Sequence, residues 1–314
     1  VRRVVVPPGF EGPLDRAVRG LFQVSWGKAR GWIEGGKVRV GDAAALDPQT
    51  RVRSGAEVTV DERARKPREA DLQDAEVVFV DAQVVVVAKP AGVSTVPYDD
   101  TETGTLDARV RTWLARRGLA PRGARPSLGV VHRIDKETTG LVVFTRTWLA
   151  KQSLTAQFRA HSVHRRYLAI AHGDVRPTVL RSVLVGDRGD GLRGSASPAR
   201  KRAVARAAVG TTDAREAVTH VERLEGLGGA TLIACRLETG RTHQIRIQLS
   251  EAGHPLLGER VYVRRYRGTQ LDAPRVMLHA AELGFEHPAL GKPMRWEQPM
   301  PDDMRAVLER LRRG

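Results

Sequence analysis

Between two apolar runs of this chain lies Val131-His132-Arg133-Ile134-Asp135-Lys136-Glu137-Thr138-Thr139-Gly140. It sets one carboxylate, Asp135, two residues after an arginine, Arg133. Gly129-Val130-Val131 reads as the end of one strand and Leu141-Val142-Val143-Phe144 as the next. A polar loop between buried strands is where a scaffold presents catalytic groups. The chemistry open to this loop is that of an ionised carboxylate in a partly dry pocket. A nearby guanidinium favours the charged form and fixes its orientation. A lone Arg–Asp pair is more often a structural bridge, so the reading needs support from elsewhere in the chain.

Two further segments supply polar groups in order. One is Arg165-Arg166-Tyr167-Leu168-Ala169. The other is Leu237-Glu238-Thr239-Gly240-Arg241-Thr242-His243-Gln244-Ile245-Arg246, followed by Gly253-His254-Pro255-Leu256-Leu257-Gly258. Several chemistries are disfavoured. Asp135 to Gly140 superficially resembles the phosphorylated Asp-Lys-Thr-Gly-Thr of ion pumps, and Gly186 to Gly191 their acidic magnesium loop. An extra residue breaks the first and Arg188 the second. Neither a Gly-x-x-x-x-Gly-Lys-Ser/Thr nor a His-Glu-x-x-His string occurs, so nucleotide hydrolysis and zinc proteolysis lack support. The single cysteine, Cys235, excludes an internal disulfide and multi-cysteine zinc sites. Beside Ala234 and Leu237 it reads as a buried structural thiol.

The string HRIDKETTGLVVF (residues 132–144) closely resembles the signature of the RluA-type pseudouridine synthases. DAQVVVVAKPAGVSTVP (residues 81–97) resembles the first motif of that family. The Tyr167 segment resembles its tyrosine motif, and the Leu237–Arg246 segment is nearly diagnostic. The resemblance covers roughly residues 76–265. It implies isomerisation of uridine to pseudouridine within RNA: the base leaves its N-glycosidic bond, turns, and rejoins the sugar through carbon 5. No electrons are gained or lost, so no redox cofactor and no metal are expected. It also implies that Asp135 is the nucleophile, by attack on sugar or base or by assisting elimination. Arg246 is then its partner, and Tyr167 offers a flat face to a flipped uracil. The target base must leave the stack, and Arg133 matches the family arginine that fills the vacated space. Arg165, Arg166, His243 and Gln244 are expected on the RNA side of the site. His132, Lys136 and Thr139, with His243 and Gln244, are expected to support it. A non-catalytic RNA-binding or ribosome-assembly protein is the rival reading, but a pure binder has no need of Asp135, Tyr167 and Arg246 together.

These groups must be positioned by an α+β domain with a mixed, mainly antiparallel sheet, residues 74–314. Short strands and helices alternate there without a regular βαβ period. Glu76–Val80 and Val84–Lys89 read as a hairpin joined at Asp81-Ala82-Gln83. Ile245, Leu249 and Ala252 share a helical face, although Ile245 and Ile247 would also suit a strand; the resemblance favours helix. Asp302 can cap a last helix bearing Met304, Val307, Leu308 and Leu311. Residues 1–12 read as a lead broken at Pro7-Pro8-Gly9. Residues 13–62 form a small helix-helix-strand unit: Leu14, Ala17, Val18 and Leu21 share a face, Ser25 can cap a second helix, and Gly35-Gly36 would end it. Its elements resemble the alpha-L RNA-binding module of a small-subunit ribosomal protein, with Lys28 and Arg30 on the helical half as RNA contacts. One departure is Val40-Gly41-Asp42, where that family usually has Asn before Gly. Residues 63–73 read as a charged linker.

The chain has 314 residues with a net charge of +16, and 8 of its 52 basic residues are lysine. Genome composition explains arginine over lysine but not the excess over acids, so a polyanion is the expected partner. Residues 14–40 hold six bases and two acids, whereas 41–62 hold two bases and five acids. Arg109, Arg111, Arg116, Arg117, Arg122 and Arg125 form an acid-free stretch around Trp113. Arg146, Lys151, Arg159, Arg165 and Arg166 form a second. Arg188, Arg193, Arg200, Lys201, Arg202 and Arg206 occupy a Gly- and Ser-containing segment suited to closing on a phosphate backbone. The expected substrate is structured RNA, 23S-type ribosomal RNA before tRNA. With no long apolar run and no signal-peptide pattern, a cytoplasmic monomer is expected.

Overall fold

The computed structural model describes residues 1–46, 48, 50–64, 71–99, 102–120, 126–196, 214–264 and 266–313. The expected RNA-facing cations Arg122, Arg125, Arg200, Lys201, Arg202 and Arg206 lie outside the described residues. The chain divides into two compact units, Val1–Ala70 and Asp71–Gly314, and the division falls inside the charged segment 63–73.

In the first unit β1 (Arg2–Val5) and β2 (Glu11–Pro13) precede α1 (Leu14–Phe22), which starts directly after Pro13. Proline lacks a backbone donor and holds a fixed φ, so it sits well at a helix start. α2 (Trp26–Glu34) starts where Ser25 Oγ accepts from Lys28 N at 3.2 Å. That bond satisfies one of the orphan donors of the first turn. Then follow β3 (Val38–Val40), β4 (Ala43–Ala44), β5 (Arg51–Arg53) and β6 (Glu57–Val60). One sheet runs β1-β6-β3-β4, and β2 pairs with β5. Leu14, Val18, Ile33, Val38 and Val58 are buried together. The expected separate lead is corrected here. Arg2–Val5 pairs antiparallel with β6, and Val6 is buried in the same core. The half-buried Val4 and buried Val6 follow the period of two that a one-faced strand requires.

The second unit holds β7 (Val77–Val80), β8 (Val84–Lys89), α3 (Leu106–Arg116), β9 (Gly129–Val130), β10 (Thr139–Thr145) and α4 (Trp148–Arg159). Next come β11 (His164–His172), β12 (Thr178–Val185), β13 (Gly194–Ser195), β14 (Arg215–Leu227) and β15 (Ala230–Leu237). The chain closes with α5 (Gln244–Glu251), β16 (Leu278–Glu286), β17 (Pro293–Glu297) and α6 (Asp302–Arg313). The sheet runs β13-β12-β14-β15-β11-β16-β10-β8-β7, with β17 on β16 and β9 on β10. β10 and β16 are parallel and the other pairs antiparallel, so the sheet is mixed and mainly antiparallel. The hairpin falls at Asp81, whose Oδ1 accepts from Gln83 N and Val84 N, both at 2.8 Å.

The unbroken valine run of β8 is apolar on both faces because both faces are covered. Val85 and Val87 join Val142, Phe144, Leu106 and Val110 on one side. Val84 and Val86 join Leu141, Val143 and Leu154 on the other. Gly140 is the close-approach point of the parallel pair. It has φ 111°, and a Cβ there would lie 2.2 Å from the Ala280 carbonyl oxygen. Asp302, expected as a cap, is instead the first residue of α6, and its neighbour Asp303 accepts from Met304 N at 2.7 Å. Among the described residues no helix is long and apolar enough to cross a membrane.

Candidate active site

The loop between β9 and β10 would be free to wander if its own backbone were its only support. Lys89, at the end of β8, is 1% exposed. Its ammonium donates to the carbonyls of Pro90 (2.8 Å), Val93 (2.7 Å) and Lys136 (2.8 Å). Burial draws this lysine down to about 7, with Glu137 and Asp135 opposing. Thr95 Oγ1 donates to Ile134 O at 2.9 Å and accepts from Ile134 N at 3.2 Å. Arg275, anchored on Asp303 of α6, donates to Glu137 O at 3.2 Å. Thus the backbone groups of Ile134, Lys136 and Glu137, on both sides of Asp135, are clamped by side chains from elsewhere in the chain. His132 accepts from Val143 N through Nε2 at 3.0 Å and stacks on Phe158 with ring centres 4.8 Å apart. Burial pushes it down to about 3, so it is neutral, as an accepting nitrogen must be. Thr139 contacts His279 Nδ1 at 2.9 Å, and Lys136 pairs with Glu102 at 3.4 Å.

Asp135 faces a cavity of about 610 Å³ that is also lined by Arg133, Tyr167, Arg241, His243 and Arg246. Its Oδ2 accepts from Arg246 Nη1 at 3.3 Å, and its Oδ1 lies 3.9 Å from His243 Nε2. The rest of the Arg246 fork belongs to Glu259. Nε donates to Oε2 at 2.7 Å and Nη2 to Oε1 at 3.0 Å. Glu259 also accepts from Arg260 N, Val261 N and Tyr262 N. Burial by itself would lower the guanidinium. Its hydrogen bonds and charge pairing with Glu259, with Asp135 behind, hold it above its usual value. Burial likewise favours a protonated Glu259, but Arg246 and the backbone donors hold that carboxyl below its ordinary range. The guanidinium therefore bridges two carboxylates: a buried one that fixes it and a partly exposed one that it presents to the cavity. Gly258 makes this possible. It has φ 77°, and a Cβ there would fall 1.7 Å from Arg275 O.

His243 stands at φ 57° immediately before α5, a left-handed conformation uncommon for a side chain of this size. Burial lowers its pKa, and burial raises Tyr262 to about 12. The Tyr262 hydroxyl lies 2.7 Å from Nδ1. With that hydroxyl donating, the proton of the neutral ring sits on Nε2, the nitrogen nearer Asp135. Tyr167 is 8% exposed on β11, and burial raises its hydroxyl, which stays protonated.

The sequence-derived residues are not all brought together. Arg165 shares the cavity with Tyr167, two residues on along the same strand face. It lies over the Phe158 ring and donates to Glu238 O at 3.1 Å. Arg166, expected on the RNA side, is corrected. It points away and pairs with Glu282 (3.1 Å) and Glu222 (3.6 Å). Gln244 is 3% exposed. It donates to Val218 O and Thr219 Oγ1 and accepts from Thr239 Oγ1 and Arg241 N. Its amide is used up inside the protein, so it positions the segment before α5 rather than meeting RNA. Arg133 is exposed at the cavity with no hydrogen bond or ion pair among the described residues. In the first unit Lys28 lies over Trp32, and Arg30 donates to the buried Asp15 at 3.0 Å. Glu259, Tyr262, Lys89 and Arg275 escaped the sequence reading. A lysine closing an unbroken apolar strand and an acid directly after Gly258 were the available signals.

The comparisons with known proteins show which family this arrangement belongs to. Residues 83–251 match the family model for RNA pseudouridylate synthase. The chain is 38% identical over 311 residues to the ribosomal large subunit pseudouridine synthase D of Zymomonas mobilis, covering 95% of this chain and 93% of that protein. It is 35% identical over 313 residues to the protein of the same name from Pseudomonas aeruginosa, covering 95% and 92%. Among solved structures, human RNA pseudouridylate synthase domain containing 4 shares the fold. Its TM-score is 0.57 at 22% identity, covering 76% of this chain and 93% of that one. The chain belongs to the RNA pseudouridylate synthase family.

Proposed function

We propose that the chain isomerises uridine to pseudouridine in large-subunit ribosomal RNA, with Asp135 as nucleophile. The observation that carries the assignment is the Asp135 carboxylate, turned to the cavity and held by one arm of Arg246 while Glu259 holds the other two. Preorganised charge in a partly desolvated site acts without reorganising during reaction. Arg133, unpaired at the cavity, enters the duplex space left by the flipped nucleotide. Tyr167 packs against the uracil with a protonated hydroxyl. The bond from N1 to C1′ breaks, the bond from C5 to C1′ forms, and the proton lost from C5 is balanced by one taken up at N1. The Arg165 and Arg241 guanidinium groups lining the cavity neutralise nearby phosphates.

Large-subunit ribosomal RNA is the assignment because the relatives named above act on it by name and match this chain over nearly its whole length. The unit of residues 1–70 serves as a second RNA anchor of the alpha-L type, raising affinity through effective concentration. The test is tritium release from C5-labelled uridine in a bacterial large-subunit ribosomal RNA transcript, with a tRNA transcript beside it. Asp135→Asn is expected to keep RNA binding and to fall below about 1% of wild-type turnover, as loss of an essential covalent group costs several kcal/mol of barrier. Greater residual turnover refutes Asp135 as nucleophile. Release from tRNA alone refutes the substrate.

A further inference from the structure

α4 carries a second surface that adjoins the reaction cavity and extends beyond it. Trp148, Lys151, Gln152, Thr155, Ala156 and Arg159 recur at the spacing of one helical face and line a groove of about 370 Å³. The opposite face of the helix is committed to the core through Ala150 and Leu154. Trp148 is 67% exposed, with Leu149 beside it at 70%. The two adjoin at the helix start with polar side chains around them, a contiguous apolar surface with a polar rim, the pattern of an interaction site. Among the described residues Trp148 has no ring or cation contact, and neither the Lys151 nor the Arg159 side chain has a hydrogen bond or ion pair. By contrast Arg166 and Arg246 meet carboxylates. From Arg146 to Arg166 the chain contains no acid. The groove is also continuous with the reaction cavity, because Thr155 and Arg159 line both.

We propose that this face of α4 is a docking groove for single-stranded RNA flanking the target uridine. One unpaired base stacks on Trp148, and Lys151 and Arg159 hold the adjoining phosphates. The proposal rests on the RNA reading of the neighbouring cavity. A flat indole takes any base by stacking, and unpaired cations beside it match a phosphate backbone. The groove therefore adds affinity and fixes the direction in which the strand leaves the cavity, without reading sequence. Its occupant is the strand next to the flipped nucleotide, which the enzyme must hold unstacked while the base turns.

The experiment uses the full chain and an unmodified transcript of bacterial large-subunit ribosomal RNA. Trp148→Ala is expected to raise KM, and Kd by filter binding, about ten-fold, the range of one lost base–aromatic stack, with kcat unchanged. Trp148→Phe should recover most of the affinity. Lys151→Gln should lower the slope of log Kd against log salt by about 0.7, the loss of one single-strand phosphate contact, whereas Trp148→Ala should leave that slope unchanged. Trp148→Ala at wild-type KM and Kd overturns the proposal. So does a fall in kcat at constant KM, which would make Trp148 structural. Loss of self-association in sedimentation with RNA affinity intact also overturns it, since the face would then bind protein. A wild-type chain that binds the transcript but forms no pseudouridine refutes the proposed function instead, and the Kd comparison still decides the groove.

Discussion

Glu259→Gln tests the bridge beneath Asp135. The Glu259 side chain is fully buried, and its Oε1 accepts from Arg246 Nη2, Arg260 N, Val261 N and Tyr262 N. A glutamine fits the volume. Its oxygen must stay at the Oε1 position to serve those four donors. The amide nitrogen then replaces Oε2 and points a donor at Arg246 Nε, which now donates across 2.7 Å. One charge-assisted bond becomes a donor–donor contact, and a buried guanidinium loses one of its two counter-charges. Breaking a buried pair in this way costs about 3–5 kcal/mol. Arg246 relieves the contact by shifting, and a displacement on the order of 1 Å at a catalytic carboxylate lowers kcat about 100-fold. Urea denaturation and steady-state turnover read the two effects. Acid gives a further check. The folded pKa of Glu259 is lowered from 4.5, so its stabilisation is fully present above that value and is lost as pH falls through the folded one. The stability gap between wild type and Glu259→Gln should narrow as pH is taken below 4.5. A variant within about 0.5 kcal/mol of wild type, the range of neutral surface changes, with unchanged kcat, refutes the bridge.

Arg246→Lys retains a charge but cannot divide a planar fork between Glu259 and Asp135. A large fall in kcat with little change in RNA Kd is expected, and equal turnover would show that another cation orients Asp135. Removing residues 1–65 should weaken binding to the long transcript and flatten its salt dependence, while a short stem-loop is still modified. Undiminished modification of the long transcript would show that the first unit is no anchor.

The chemistry of the second unit was legible because its residues sit in long, ordered strings, and the strands and helix between them follow ordinary periodicities. Asp135, Tyr167 and Arg246 come from a loop, a strand and a helix far apart in the chain, and only the family resemblance linked them beforehand. The sorting of Arg165 from Arg166 was available in principle. A strand alternates its faces, so the arginine two residues before Tyr167 shares its side and the adjacent one does not. Gln244 misled because a polar residue beside a histidine looks like a contact group. Two of its four internal partners, Val218 and Thr219, are invisible until β14 is laid next to the helix start. Glu259 was hidden because its place after Gly258 does not reveal that it is buried; its burial is tolerable because Arg246 arrives from another element and three backbone donors meet its other side. The lead was misread because Pro7-Pro8 resembles a boundary, whereas β1 needs only four residues to close the edge beside β6.

Lys89 has a consequence for selectivity. By gathering the carbonyls of Pro90, Val93 and Lys136 around one ammonium, it removes the freedom of the aspartate loop when the chain folds, before any RNA arrives. Binding then carries no ordering cost for the Asp135 loop, and a wrong RNA meets the same assembled carboxylate as a right one. Induced assembly of the reactive group cannot act as the proofreading step. The burden of discrimination passes to the RNA, through how readily a given uridine surrenders its stacking and pairing to enter the cavity.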